Sequence, residues 1–130
     1  KIMTVRYLGG RQARTHYHVL KRFGPTPKRS DHTGRWVLAY ALLELALETG
    51  RTHQVRVHLA HLGYPVLGDG TYSRRSSAEW AACGIVRQLL HAYALRFVHP
   101  VTRRPVALKS AIPDDMARWL AGFVPMLSLS

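Results

Sequence analysis

The sequence predicts an α+β fold in which a mixed, mostly antiparallel sheet packs against helices. Residues 2–8 and 13–23 alternate in side-chain pattern on either side of Gly9 and Gly10, which is typical of two strands joined by a turn. Residues 52–62 instead carry apolar side chains three and four positions apart, which is typical of a helix. Hydrophobic residues make up 47% of the 130 residues, enough to build the core of one domain.

The second predicted strand has two distinct faces, because successive side chains of a strand point to opposite sides. One face carries Ala13, Thr15, Tyr17, Val19 and Lys21, and the other carries Arg14, His16, His18, Leu20 and Arg22. The polar segment 24–34 that follows is rich in Gly and Pro. Its composition is typical of a mobile insertion between two structured elements.

Residues 36–48 fit two interpretations. Their Ala, Leu and Glu content favours a helix. Their alternation favours a strand, with apolar residues at every second position from Val37 to Leu47 and with Glu44 and Glu48 on the other face. Composition alone favours the helix, whereas the family resemblance described below favours a central strand.

Residues 52–62 give the clearest helix prediction. Gly50 supplies a turn before it, Thr52 is a candidate N-cap, and Gly63 and Pro65 are suited to end it. One face carries the apolar stripe Val55, Leu59 and Leu62. A neighbouring face carries His53, Arg56 and Ala60.

The rest of the chain alternates short elements. We expect a short helix at 78–83, a strand at 89–98, a turn at 99–102 and a partner strand at 105–111. Pro113 and the two acidic residues after it are favourable in a first helical turn, which predicts a terminal helix ending near residue 123.

The charge of the chain is strongly basic. Lys and Arg number 19 against 7 acidic residues, a net charge of +12, and 15 of the basic residues are Arg. Such an excess attracts polyanions, and the planar guanidinium group suits phosphate, so we expect a nucleic-acid partner. The absence of a long apolar run predicts no membrane span, and the single Cys83 fits a cytoplasmic protein.

Three motifs then follow one another along the chain: ETGRTHQVRVHL at 48–59, GYPVLGDGTY at 63–72 and LHAYALRFVHP at 90–100. They resemble the RluA-like (large-subunit-type) pseudouridine synthases, whose pattern reads ETGRTHQ(I/L)RVHL, then G(H/Y)P(I/V)xGDxxY, then LHAxxLxFxHP. The resemblance spans about Arg11 to Met116. Three motifs in matching order and spacing make it specific.

The resemblance implies an enzyme that isomerises uridine to pseudouridine in structured RNA, mostly ribosomal or transfer RNA, without a cofactor or a metal. The target base is flipped out of the RNA. A catalytic Asp attacks the nucleotide, the glycosidic bond breaks, and the uracil is reattached through carbon. The Arg that pairs with this Asp corresponds to Arg56, and an apolar side chain near the base corresponds to Leu90.

The start of the same helix supplies further candidate substrate-binding residues: Arg51, Thr52, His53 and Gln54. Backbone N–H groups and polar side chains at a helix N-terminus are suited to hold a phosphate. For Thr52, a plain N-cap is an equally good interpretation.

Two other groups of residues invite a catalytic interpretation and do not support one. His53, His58 and His61 do not share one helix face, so we predict no metal site there. Asp69 lies in a Gly-Asp-Gly turn, and the resembling family does not use this Asp as the nucleophile. We therefore expect Asp69 to accept backbone N–H groups within a tight turn.

The catalytic Asp of the family lies in an upstream motif, HRLDxxTSG, which this sequence does not contain. The aspartates of the chain are Asp31, Asp69, Asp114 and Asp115. Because the chain also begins at Lys1 within an alternating pattern, we expect residues 1–130 to be the C-terminal portion of one catalytic domain. Such a portion should be inactive alone and should expose strand edges and apolar surface until the missing N-terminal half covers them.

Two other hypotheses remain open from the sequence. A non-catalytic RNA-binding module would keep the Arg-rich surface without the chemistry. A truncated remnant would have no function. Formation of pseudouridine on addition of the upstream half would separate the enzyme from both.

Overall fold

The structure, a computed structural model, describes residues 2–8, 11–24, 36–37, 39–121 and 126–127. Its elements in chain order are β1 (Ile2–Leu8), β2 (Arg11–Phe23), β3 (Trp36–Val37), β4 (Tyr40–Leu47), α1 (Gln54–His61), α2 (Ser77–Ala82), β5 (Ala94–Val98), β6 (Pro105–Lys109), α3 (Asp114–Leu120) and β7 (Met126–Leu127). The predicted α+β class is confirmed. Every strand pairing within this part of the chain is antiparallel.

The largest sheet has the strand order β1-β2-β4, so the long strand β2 pairs on both sides. The predicted pairing of the first two strands is confirmed. Ala13 and Thr15 of β2 are fully buried, while His18 and Arg22 are exposed, as the predicted faces require. The pairing of β2 with β4 shifts register between Val19 and residue 21. The predicted insertion after β2 lies almost entirely outside the described residues.

Within the ambiguous segment 36–48, residues 36–37 and 40–47 form strands, so the strand interpretation is confirmed and the helical one is wrong. It forms two strands, β3 and β4, and not one. Within the described residues β4 pairs with β2 alone and lies at an edge of its sheet, so its central position in the sheet of a complete domain stays a prediction. Leu43 and Leu45 of β4 pack inward, whereas Leu47 is half-exposed. Strand β3 pairs with β7, which the sequence did not predict.

Helix α1 begins two residues later than predicted. The N-cap position is His53, which has a left-handed backbone (φ 51°) and gives no side-chain cap, so the prediction of Thr52 as N-cap is wrong. The oxygen Oε1 of Gln54 accepts hydrogen bonds from the Arg51 backbone N–H at 3.1 Å and from the Thr49 hydroxyl at 2.7 Å. The Gln54 side chain therefore organises this turn in place of a Ser or Thr cap.

Helix α1 ends where the sequence predicts. Gly63 has a φ of +87°, a left-handed conformation that glycine adopts without steric cost. The predicted apolar stripe is shorter than expected, because Val55 and Leu59 are buried but Leu62 is 41% exposed.

Two apolar clusters form the core of the described residues. The first contains Val55, Leu59 and Val66, against which Leu43, Leu45, Leu90 and Tyr17 pack. It holds α1 on the β1-β2-β4 sheet. The second contains Trp80, Ile85 and Trp119, against which Tyr40, Leu67 and Leu89 pack. It joins α2 and α3 to the loop that follows α1.

The predicted C-terminal elements are confirmed in type but are shorter at several ends. Helix α2 has Ser76 as its N-cap, whose hydroxyl accepts the Glu79 N–H at 3.2 Å. Strand β5 begins at Ala94 and not at 89, because the hydrogen-bonded partner strand β6 ends at Lys109. Helix α3 ends at Leu120, three residues earlier than predicted. No helix among the described residues is long and apolar enough to cross a membrane.

Candidate active site

The Arg56 side chain is buried. Arg56 lies in the first half of α1, directly after Val55, which belongs to the first apolar cluster. Arg56 is only 8% exposed. Its Nε donates to Asp69 Oδ2 at 2.8 Å, and its Nη2 donates to Asp69 Oδ1 at 2.9 Å. This two-point ion pair holds the Nε–Nη2 edge of the guanidinium group in place.

Asp69 is fully buried and is the most constrained carboxylate of the described residues. Its Oδ1 also accepts the backbone N–H groups of Thr71 and Tyr72, each at 3.0 Å. The expectation that Asp69 accepts backbone bonds in a turn is thus confirmed. The hydrogen bond from Arg56, aided by those two N–H groups, lowers the pKa of Asp69 to about 2. The same bond raises the pKa of Arg56.

The glycines on both sides of Asp69 allow this turn to form. Gly68 has a φ of +84°, and a Cβ there would lie 2.0 Å from the Arg87 carbonyl oxygen. A Cβ on Gly70 would lie 2.3 Å from Ser77 Oγ. Both distances are far below van der Waals contact, so any side chain at either position would displace the backbone that carries Asp69.

One edge of the Arg56 guanidinium has no partner within the described residues. Nε and one hydrogen of Nη2 bind Asp69, while no hydrogen bond from Nη1 is present in that part of the chain. The guanidinium carbon Cζ lies over the Tyr72 ring, 4.9 Å from the ring centroid. The Nη1–Nη2 end therefore remains available to a second anion, in a fixed orientation.

Three of the predicted substrate-binding residues lie exposed in the turn before α1: Arg51, Thr52 and His53. The His53 ring meets the Tyr72 ring edge to face, and its Nδ1 lies 3.0 Å from the Tyr72 hydroxyl. His53 and Arg56 thus contact the same tyrosine. Within the described residues, Arg51 makes no ion pair.

The fourth predicted residue, Gln54, is placed differently. It is 3% exposed, and Nε2 donates to the Arg14 carbonyl at 3.0 Å and to Thr15 Oγ1 at 2.9 Å. Because Oε1 also accepts two bonds, the whole amide is engaged inside the protein. This placement favours a role in tying α1 to β2 over direct contact with a substrate.

Leu90 is half-buried and packs against the cluster of Val55, Leu59 and Val66. Val55 of this cluster directly precedes Arg56 in α1. The neighbouring His91 has a buried Nε2 without a hydrogen-bond partner in the described part of the chain. No group of three or more His, Cys, Asp or Glu side chains suited to a metal ion occurs among the described residues.

Sequence reasoning missed the direct bond between Arg56 and Asp69, and it did not single out Tyr72 as a site residue. The sequence offered a signal for this bond, because Asp69 lies in a Gly-Asp-Gly turn only 13 residues after Arg56. A buried Arg on a short helix also requires an internal anion, and few carboxylates are near in sequence.

Comparison with known proteins agrees with these motifs. A family model described as RNA pseudouridylate synthase matches residues 1–61. An uncharacterized RNA pseudouridine synthase of Chloroflexus aurantiacus is 45% identical over 107 residues, covering 82% of this chain and 28% of the relative. A ribosomal large subunit pseudouridine synthase D of Nitrosomonas europaea is 42% identical over 114 residues, covering 85% of this chain and 29% of the relative.

A third relative, an uncharacterized RNA pseudouridine synthase of Bacillus subtilis, is 41% identical over 108 residues. The match covers 83% of this chain and 29% of that relative, so the chain spans less than a third of the length of the curated relatives described here. Family model, relatives and motifs agree, and the chain belongs to the RluA-like family of RNA pseudouridine synthases.

Proposed function

We propose that this chain is the C-terminal portion of the catalytic domain of an enzyme that isomerises uridine to pseudouridine in structured RNA. The catalytic Asp is then supplied by the part of the domain that this sequence does not contain. The family membership supports the reaction. The share of each relative that is matched, 28% and 29%, supports an incomplete domain.

The observation that carries this proposal is the open end of the buried Arg56. Asp69 holds the Nε side of the guanidinium, so a second carboxylate can approach only the Nη1–Nη2 end. An Asp placed there receives donors of fixed direction. Because Asp69 already balances the charge of Arg56, the incoming carboxylate is stabilised less than it would be beside an unpaired Arg. Its pKa then stays higher and the carboxylate stays more nucleophilic.

A test of this role requires the complete enzyme, assembled from this chain and an upstream half that carries an HRLDxxTSG-like motif. We expect pseudouridine formation with the wild-type chain, measured as tritium release from RNA that contains 5-tritiated uridine. Arg56→Ala should lower kcat by at least about 10²-fold, the usual loss when a fixed electrostatic partner of a reacting group is removed.

Arg87→Ala is the matched control, because Arg87 also pairs with a carboxylate, Asp115, but does so on the surface. It should leave kcat nearly unchanged. Turnover near that of the wild type in Arg56→Ala would refute the role of Arg56. Absence of pseudouridine in the assembled wild type, together with tight RNA binding by the chain alone, would favour the non-catalytic RNA-binding module instead.

We further propose that the substrate is ribosomal RNA and that the protein acts in the cytoplasm. Several relatives carry the name ribosomal large subunit pseudouridine synthase D, which supports ribosomal over transfer RNA. The basic surface supports a polyanionic partner. Within the described residues, these arginines make no ion pair: Arg22, Arg51, Arg74, Arg75, Arg96, Arg103 and Arg104.

The contribution of these arginines is measurable as a salt dependence. Each phosphate contact releases counterions, so the affinity for RNA should fall steeply as the salt concentration rises. We expect Arg74→Gln with Arg75→Gln to reduce the slope of log Kd against log salt concentration by about 1 to 2. Glu79→Gln, in α2 just after these two arginines, is the control and should leave the slope of log Kd against log salt concentration unchanged. A flat salt response of the wild type would contradict a phosphate-binding surface.

A further inference from the structure

Tyr72 contacts three parts of the candidate active site at once. Its ring lies 4.9 Å from the Arg56 guanidinium carbon, measured to the ring centroid. Its hydroxyl lies 3.0 Å from His53 Nδ1. Its backbone N–H donates to Asp69 Oδ1 at 3.0 Å. Tyr72 is nevertheless 36% exposed, so these contacts are not a consequence of deep burial in an apolar core.

The ion pair with Asp69 leaves one motion of Arg56 unrestrained. Two parallel hydrogen bonds hold the Nε–Nη2 edge in place. They do not prevent the guanidinium plane from tilting about that edge, because both donor atoms, Nε and Nη2, belong to the same edge. The Tyr72 ring, over which Arg56 Cζ lies, opposes this tilt, because moving the guanidinium away from the ring loses a favourable cation–π contact.

The ring itself is held from the other side. Without a partner, a tyrosine side chain in a surface loop changes rotamer readily. The His53 ring stands at 77° to the Tyr72 ring, with centroids 5.8 Å apart, and its Nδ1 meets the hydroxyl. His53 has a left-handed backbone, which a non-glycine residue keeps only when its surroundings hold it there.

We propose that Tyr72 is a positioning residue for the reaction: its ring, held by His53, fixes the orientation of the Arg56 guanidinium and so aims the open Nη1–Nη2 end at the reacting groups. The proposal rests on the proposed function for its consequence in catalysis. The positional claim itself concerns the described residues alone. Tyr72 therefore acts through Arg56 and not by contact with the base.

The first experiment tests the position of Arg56 in the 130-residue chain, by the NMR signal of its Nε–H group. A ring stacked on the guanidinium shifts this signal and slows exchange of its hydrogen with water. Tyr72→Phe keeps the ring, so the signal should remain near its wild-type position. Tyr72→Leu removes the ring, and the signal should move and exchange several-fold faster. An unchanged signal in Tyr72→Leu overturns the proposal.

The second experiment measures kcat and KM in the assembled enzyme. We expect kcat to fall about tenfold or more in Tyr72→Leu and only a few-fold in Tyr72→Phe, with KM little changed, as for loss of correct orientation. His53→Ala should lower kcat as much as Tyr72→Phe does. The double variant of His53→Ala and Tyr72→Phe should be no worse than either single variant, because both substitutions remove the same hydrogen bond. Tyr64→Leu, at a tyrosine that is 76% exposed, is the control and should leave kcat unchanged.

The outcomes separate this inference from the proposed function. Equal kcat in Tyr72→Leu and Tyr72→Phe, or additive losses in the double variant, overturns the proposal. If the assembled wild type forms no pseudouridine, the proposed function fails, and the NMR experiment still decides whether Tyr72 orients Arg56. Restoration of kcat in Tyr72→Trp, which offers a larger ring to the same cation, would support orientation over packing.

Discussion

The region around α1 and the hairpin of β5 and β6 differ in how completely they are built within this chain. In the first, Arg56 and Asp69 are buried and paired with each other, and α1 also carries Val55 and Leu59 of the first apolar cluster. In the second, every residue of β5 is exposed, and Leu95 and Leu108 face each other across the hairpin at 57% and 53% exposure. Within the described residues, β5 pairs with β6 alone.

The difference separates a region that is packed within the described residues from one that is open. The α1 region pairs the buried side chains of Arg56, Asp69 and Gln54 internally, although His58 Nε2 has no partner within the described residues. The hairpin instead presents apolar side chains and open strand edges, and a two-stranded hairpin is marginally stable by itself. Within the described residues the hairpin thus carries exposed strand edges and apolar surface, and the coverage of these by a missing part of the domain stays a prediction.

The largest effect should follow from breaking the buried ion pair of the first region. Asp69→Asn removes the negative charge but keeps an oxygen that accepts the Thr71 and Tyr72 N–H groups. Arg56 then lies buried without a counter-ion, and we expect a loss of about 3 to 5 kcal/mol in the free energy of unfolding. Urea denaturation monitored by circular dichroism measures this loss.

Asp115→Asn is the matched control, because its pair with Arg87 has side chains 44% and 40% exposed. We expect a far smaller change there, since solvent screens surface ion pairs. Similar losses in both variants would mean that burial of the Arg56 pair has no energetic consequence, and the contrast between the two regions would not hold for electrostatics.

A second effect compares one substitution in the two regions. Leu59 in α1 is 7% exposed and belongs to the first apolar cluster, whereas Leu95 in β5 is 57% exposed. Leu59→Ala should therefore destabilise the chain by about 2 to 5 kcal/mol. Leu95→Ala should change the free energy of unfolding by no more than about 0.5 kcal/mol.

The same pair of variants should differ in solubility. Leu95→Ala reduces exposed apolar surface on the hairpin, so we expect less self-association of the chain in sedimentation experiments. A loss of several kcal/mol in Leu95→Ala would show that β5 is covered by another part of the chain, contrary to its exposure.

The sequence predicted those elements whose signal is local. The alternation of β2 and the glycine that ends α1 depend on neighbours a few residues away. Features set by distant partners were missed or misassigned. Thr52 is not the cap, because Gln54 makes bonds to β2 that fix the turn, and no local pattern shows those bonds.

The candidate site divides in the same way. The motif resemblance identified Arg56, which lies buried in α1. The bond from Arg56 to Asp69 and its contact with the Tyr72 ring depend on how the loop between α1 and α2 folds back onto α1. Position 54 was expected to face a substrate, and its side chain is instead engaged in four internal hydrogen bonds.

The smallest effect concerns acid, and it arises at a second buried polar group of the first region. His58 is fully buried, with Nδ1 at 2.6 Å from the Thr15 hydroxyl and with Nε2 lacking a partner in the described residues. Burial, with a smaller contribution from the charge of His61, lowers the pKa of His58 below its ordinary 6.5. The folded chain therefore takes up this proton less readily than the unfolded chain.

The sign of the effect follows from proton uptake. Below pH 6.5 the unfolded chain binds a proton at His58 that the folded chain refuses, so the free energy of unfolding falls as the pH drops towards 5. The Asp69 carboxylate acts later, because its stabilisation is complete above pH 3.8 and is lost only as the pH falls towards 2.

The variant His58→Gln tests this effect, because glutamine keeps a hydrogen-bonding side chain but does not titrate. Urea denaturation between pH 7.5 and 5 should show that the free energy of unfolding depends less on pH in this variant. His61→Gln, at an exposed histidine, should retain most of the wild-type slope. An equal slope in His58→Gln and the wild type would mean that His58 is protonated as easily in the folded chain as in water.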